Sequence, residues 1–171
     1  MINTIEGNLL ELQKGILVHG CNCHGVMGSG IAKLIRDKWP DVYRVYRREY
    51  LDNRLWLGDV ISVANPRWRN LPTAGRHVKY IAPSVPEDVI IVNAMTQFDF
   101  GREPGQAYVD YEAISACFSR VRMLALTTGL DVHFPLIGCG LAQGKWDEVS
   151  ARIEAALGPE ISANLWVLPS T

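Results

Sequence analysis

Short apolar runs alternate with stretches of helical period along the chain. Ile16-Leu17-Val18 reads as a buried strand. Ile31, Leu34, Ile35 and Lys38 fall at helical spacing, which predicts a helix over 31–39 that Pro40 stops. A second helix follows from Asp41 to about Tyr50. Asp59–Ala64 and Val78–Ala82 read as strands, and Val89-Ile90-Ile91-Val92 is the strongest strand pattern in the sequence. Val109–Thr127 carries a helical pattern through Ile114, Phe118, Val121 and Leu124. Val132–Ile137 returns to strand. Trp146–Leu157 is helical through Val149, Ile153 and Leu157, and Leu165–Leu168 is a final strand. Strands alternating with helices predict an α/β fold whose largely parallel sheet is covered on both faces. Ligands of such sheets sit at the carboxyl ends of the strands.

Composition narrows the function classes. At 171 residues the chain fits one domain, expected to span 1–171. The 17 basic and 18 acidic residues nearly cancel, so no general field draws the chain to nucleic acid or anionic membrane. An anion must be held by local devices. Met-Ile-Asn-Thr-Ile-Glu-Gly has no basic flank before an apolar run, and no apolar stretch approaches the ~20 residues of a membrane span. Cys21, Cys23, Cys117 and Cys139 are too few for a disulfide scaffold, which favours reduced thiols and a cytoplasmic setting.

Two glycine loops supply such devices. The strand ending near Asn22 runs into Cys23-His24-Gly25-Val26-Met27-Gly28-Ser29-Gly30, and a helix follows. The strand ending near Ile137 runs into Gly138-Cys139-Gly140-Leu141-Ala142-Gln143-Gly144, and another helix follows. Glycine lets backbone N–H groups approach a ligand closely, and a helix start adds unpaired N–H groups. Each loop alone reads equally well as a tight turn. Two on one sheet edge point to a diphosphate. Gly28-Ser29-Gly30 lacks the third glycine of the dinucleotide fingerprint, and Trp146 after Gly144-Lys145 rules out a P-loop.

These residues carry a resemblance. Gly7-Asn8-Leu9-Leu10, Leu17-Val18-His19-Gly20-Cys21-Asn22-Cys23, Gly25-Val26-Met27-Gly28-Ser29-Gly30-Ile31-Ala32 and Pro135-Leu136-Ile137-Gly138-Cys139-Gly140-Leu141 resemble the macro domain family in order and spacing over nearly the whole chain. The resemblance is nearest to the branch of terminal ADP-ribose glycohydrolases, DNA de-ADP-ribosylating antitoxins and ADP-ribose-1''-phosphate phosphatases. It implies a three-layer α/β/α fold with a mixed, mostly parallel sheet of about six strands, and ADP-ribose or ADP-ribose-1''-phosphate as ligand, with no cofactor. It places Asn8 and the Leu9 backbone at adenine, and Asn22 at the distal ribose. Gly28, Ser29, Gly30 and Ile31 would line that ribose and one phosphate. Gly138, Cys139, Gly140, Leu141 and Ala142 would wrap the other, with Leu168 packed on adenine.

Two departures bear on chemistry. Lysine-dependent glycohydrolases of this family carry lysine where Asn93-Ala94-Met95-Thr96 here leads into Gln97, and aspartate where Ala142 stands. Gln97 remains a ligand-contact candidate but cannot form a Schiff base. Three activities stay open: phosphate release from ADP-ribose-1''-phosphate, non-catalytic ADP-ribose recognition, and lysine-independent removal of ADP-ribose from protein or nucleic acid.

The catalytic candidates are Asn22, Asp99, His19 and His24. Gln97-Phe98-Asp99-Phe100-Gly101-Arg102 follows the strongest strand and should lie on the ligand edge. Asp99 is a candidate acid or base, and Arg102 a partner for a terminal phosphate. The competing reading is a loop capped by Pro104 and Gly105 with packed aromatics. His19 lies inside a strand with Cys21 on the same face, and a buried structural histidine is the favoured reading; the other is a proton carrier. His24, in the loop, is the alternative acid. His133 reads as structural. Zinc on His19, Cys21, Cys23 and His24 is disfavoured by the Cys-x-Cys spacing, so no metal is expected. A cysteine phosphatase at Cys139 would want an arginine closing its loop, and Gln143-Gly144 supplies none. Pro66–His77 mixes basic and aromatic residues, but solvated surface arginines are favoured over a nucleic-acid contact.

Overall fold

The computed structural model describes residues 1–170. Its strands are β1 (Ile2–Glu6), β2 (Gly15–Cys21), β3 (Val60–Ala64), β4 (His77–Ile81), β5 (Val89–Met95), β6 (Val132–Phe134) and β7 (Ala163–Val167). The helices are α1 (Gly30–Lys38), α2 (Pro40–Leu51), α3 (Tyr111–Thr128) and α4 (Trp146–Leu157). All seven strands form one sheet in the order β1-β7-β6-β2-β5-β3-β4. The expected count of six is corrected to seven: β1 forms by parallel pairing with β7, from Ile2↔Ala163 to Glu6↔Val167. The sheet is mixed because β3 runs antiparallel to β5 while pairing parallel with β4.

Two apolar clusters sandwich the sheet. One packs α3 and α4 on one face, through Phe118, Val121, Val149 and Ile153. The other packs α1 and α2 on the opposite face, through Ile35, Val42 and Tyr46. The central strands β2 and β5 feed alternate side chains to both, so they read as continuous apolar runs.

The boundaries have local causes. Pro40 ends α1 and takes the first position of α2, where its missing N–H costs nothing. Asp110 caps α3 by accepting from the Ala113 amide at 2.8 Å, and Gly129 ends it at φ 70°. β6 stops at Phe134, short of the expected Ile137, because Pro135 has no N–H to offer the ladder. Among the described residues, no helix is long and apolar enough to cross a membrane.

β1, β7, β6, β2 and β5 are parallel neighbours, so their carboxyl ends share one edge. At about 4.8 Å per strand that edge is about 19 Å long from β1 to β5. The loops after all five strands open onto it.

Candidate functional site

A cleft of about 650 Å³ lies on this edge. Its walls are residues 26–32 and 135–142, its floor is Gly20 to Asn22, and Gln97 with residues 100–102 closes the β5 end. Both glycine loops therefore face one cavity.

The loop after β2 is organised by Asn22, which is 7% exposed. Its Oδ1 accepts from the His24 amide at 2.9 Å, and its Nδ2 donates to the Val26 carbonyl at 2.8 Å. Tyr46, fully buried on α2, presents its hydroxyl to the Asn22 carbonyl at 2.7 Å and to Asn22 Oδ1 at 2.8 Å, and accepts from the Val26 amide at 3.1 Å. Burial holds the Tyr46 phenol far above its usual range, so the donor proton stays in place. Asn22 is thus chiefly a loop holder; its second Nδ2 hydrogen is what remains for a ligand. Sequence reasoning missed Tyr46, because its partners lie some twenty residues away in the chain.

Downstream, Ser29 precedes α1 without a side-chain cap, and Gly30 turns the backbone at φ 58°. Gly30, Ile31 and Ala32 line the cleft, and their amides, in the first helical turn, find no acceptor among the described residues. The second loop crosses on itself: the Gly144 amide donates to the Gly138 carbonyl at 2.6 Å. Gly138 has φ 73°, and a Cβ there would sit 2.7 Å from Val109. The amides of Gly140, Leu141 and Ala142 make no hydrogen bond among the described residues, and all three residues belong to the opposite wall. The lining stops at Ala142, so this side is an amide cradle without the first turn of α4. Six unpaired N–H groups thus flank one cavity, an arrangement that suits a diphosphate.

At the β5 end, His24 Nε2 and Asp99 Oδ1 are 2.7 Å apart; neither residue lines the cleft, whose lining here is Gln97 and residues 100–102. His24 also stands edge-on to Phe98 and Phe100. Gln97 Nε2 donates to the Asp99 carbonyl at 2.7 Å, fixing the turn that carries the carboxylate. Neither residue at the expected lysine and aspartate positions is a charged group: Gln97 and Ala142 both line the cleft.

His19 is corrected as a catalytic candidate. It is 0% exposed and its Nε2 lies 2.6 Å from Asn93 Oδ1. Asn93 Nδ2 donates to the Val42 carbonyl, so its oxygen is the acceptor and His19 Nε2 carries the proton. Burial lowers the His19 pKa to about 4. This histidine ties β2 to β5 and α2 and does not reach the cleft. His133 is structural as expected, accepting from Trp166 Nε1 at 3.0 Å. Burial raises the Cys139 thiol above its usual value, which disfavours the thiolate a nucleophile needs.

Asn8, Leu9 and Leu168 lie outside the cleft lining, at the ends of β1 and β7. The Gly7 amide donates to the Val167 carbonyl at 2.8 Å, which sets Asn8 beside Leu168 at the far end of the same edge. Asn8 Oδ1 already accepts from the Leu10 amide at 3.1 Å, and the Leu9 side chain is buried; Leu168 is 74% exposed. The Pro66–His77 arginines are engaged locally: Arg67 with Asp88 and over Trp68, Arg76 with Asp59 and over Trp56.

No family model matches the chain. It is similar to an ADP-ribose 1''-phosphate phosphatase of Scheffersomyces stipitis, at 28% identity over 98% of this chain and 100% of the relative. It is similar at 28% identity to a DNA ADP-ribosyl glycohydrolase of Thermus aquaticus, over 98% of this chain but 41% of that longer protein. Among solved structures, a macrodomain protein from Streptomyces coelicolor shares the fold with TM-score 0.73 and 26% identity, covering 98% of this chain and 99% of that one.

Proposed function

The chain belongs to the macro domain family, and from that premise we propose that its cleft binds ADP-ribose and hydrolyses ADP-ribose 1''-phosphate to ADP-ribose and inorganic phosphate. The observation that carries this reading is the facing pair of amide cradles, Gly30–Ala32 and Gly140–Ala142, on one cavity. They hold the diphosphate through backbone N–H groups, without a cation. Adenine extends toward Asn8 and Leu168 at the β1 end, and the distal ribose toward Asn22 and the β5 loop.

This orientation sets the ribose C1'' end beside His24 and Asp99. Water attacks the phosphorus, the bond from phosphorus to O1'' breaks, and O1'' takes up a proton. His24 handles the proton, and Asp99, at 2.7 Å, fixes the imidazole in place. Positioning supplies most of the acceleration, as in phosphoryl transfer generally. The four free cysteines suit a reducing compartment, where we place this activity.

Similarity to the DNA ADP-ribosyl glycohydrolase supports a second reading, release of ADP-ribose from a macromolecule. Gln97 and Ala142 weigh against a lysine–aspartate route. A phosphate-release assay on ADP-ribose 1''-phosphate, run beside a gel assay on ADP-ribosylated DNA and protein, separates the readings. Phosphate release by the wild type, lost in His24→Ala, is expected. No turnover of any of these, with ADP-ribose still bound, makes the chain a reader.

A further inference from the structure

We propose that Arg102 is the specificity-determining residue for a terminal phosphomonoester, and that it separates the substrate from its own product. This rests on the phosphatase reading above.

Among the described residues lining the cleft, Arg102 is the one that carries a charge. It makes no ion pair or hydrogen bond among the described residues, whereas Arg44, Arg67, Arg76 and Arg152 are each held by a carboxylate. The two amide cradles are neutral and serve a group that substrate and product share. The substrate differs by one phosphomonoester, close to two negative charges at neutral pH, at the ribose end. Cradles that grip only the shared diphosphate hold both ligands alike, so the product competes with the substrate. One free guanidinium at that end breaks the tie, because it meets phosphate oxygens in a bidentate, charge-assisted way.

The position of Arg102 is set from both sides. A Cβ at Gly101 would overlap the Tyr108 hydroxyl, so the backbone lies directly against that ring. The Glu103 amide donates to the same hydroxyl at 3.4 Å, and the Glu103 carbonyl accepts from Gln143 Nε2 at 2.9 Å. Gln143 belongs to the second cradle loop. The base of the segment is closed by the Gln97–Val109 bridge and by the Asp110 amide on the Thr96 carbonyl at 2.8 Å. Arg102 therefore sits on an anchored strap joining the β5 loop to the β6 loop, on the side of the cleft where His24 and Asp99 stand.

The test compares KM for ADP-ribose 1''-phosphate with the competitive Ki of ADP-ribose, in wild type, Arg102→Gln and Arg102→Lys. In Arg102→Gln the KM should rise about ten- to a hundredfold, the range of a lost charged hydrogen-bonded pair, while Ki stays within about threefold. Arg102→Lys should recover part of the loss. If KM and Ki rise together, Arg102 holds the shared diphosphate or merely the strap, and the proposal fails; it also fails if neither moves. Should the wild type bind ADP-ribose but release no phosphate, the phosphatase reading falls. Calorimetry with both ligands then decides: selective loss of the phosphomonoester in Arg102→Gln supports the subsite, and equal affinities overturn it.

Discussion

Replacing Tyr46 by Phe removes one oxygen and keeps the ring that packs in the α1–α2 core. That oxygen lies 2.7 Å and 2.8 Å from the two Asn22 oxygens and 3.1 Å from the Val26 amide. Without it, the Val26 amide keeps one long contact, 3.4 Å to Asn22 Oδ1, and the Asn22 carbonyl loses its donor. Stranding buried polar groups costs about 1–3 kcal/mol each, and part of that relaxes if the 22–27 loop opens to water. A net loss of about 2 kcal/mol follows, concentrated on the loop that precedes the first cradle. Apparent affinity scales with the fraction of molecules holding the competent loop, so the ceiling on lost ADP-ribose affinity is about thirtyfold. Calorimetry with ADP-ribose and urea unfolding of the same variant give both quantities. We expect affinity to fall at least threefold and unfolding stability by about 1–2 kcal/mol. Affinity within twofold of wild type, with stability reduced, would show that Tyr46 serves only the core and that Asn22 holds the loop unaided.

Three further outcomes follow from the same geometry. Gly138→Ala places a Cβ at φ 73° against Val109 and should lower stability by at least about 1–2 kcal/mol in urea unfolding, whereas Gly140→Ala, with open space around it, should stay within about 0.5 kcal/mol and weaken ADP-ribose binding instead. His19 has a folded pKa of about 4 against 6.5 unfolded, so the unfolded chain binds its proton first as pH falls. The stability is whole above pH 6.5 and falls through the window down to about pH 4, by about 3 kcal/mol for this group. The unfolding midpoint of His19→Gln should decline less over that window; an unchanged slope contradicts the assignment. Asp99→Asn keeps the geometry but not the charge beside His24, and should lower kcat for phosphate release by about tenfold or more with KM little changed.

The chain's pattern made most of the fold legible, and the reasons for the misses are physical. Val89–Met95 and Trp146–Leu157 announce themselves because burial on both sheet faces, or on one helix face, leaves an unbroken record in residue type. Ile2–Glu6 does not: three of its five positions are exposed, and it is a strand because β7 offers it an edge. The antiparallel entry of β3 beside β5 leaves no mark on Val60–Ala64, whose five residues are buried in either direction. At the site, the glycine loops were readable because close approach admits few residues. His19 was readable as buried, yet its partner Asn93 comes from pairing of β2 with β5, which no local pattern encodes. Tyr46 could have been placed on a buried face by its spacing from Val42, but the task of its hydroxyl depends on a loop that packing brings to it.

In the proposed function, uncharged backbone cradles on both walls of one cleft grip a diphosphate. A crystal structure of the wild-type protein with ADP-ribose tests it most directly. Diphosphate oxygens are expected within about 2.7–3.2 Å of amides in both Gly30–Ala32 and Gly140–Ala142, with adenine toward Asn8 and Leu168. A diphosphate held mainly by side chains, or lying outside the span between the two loops, would contradict it.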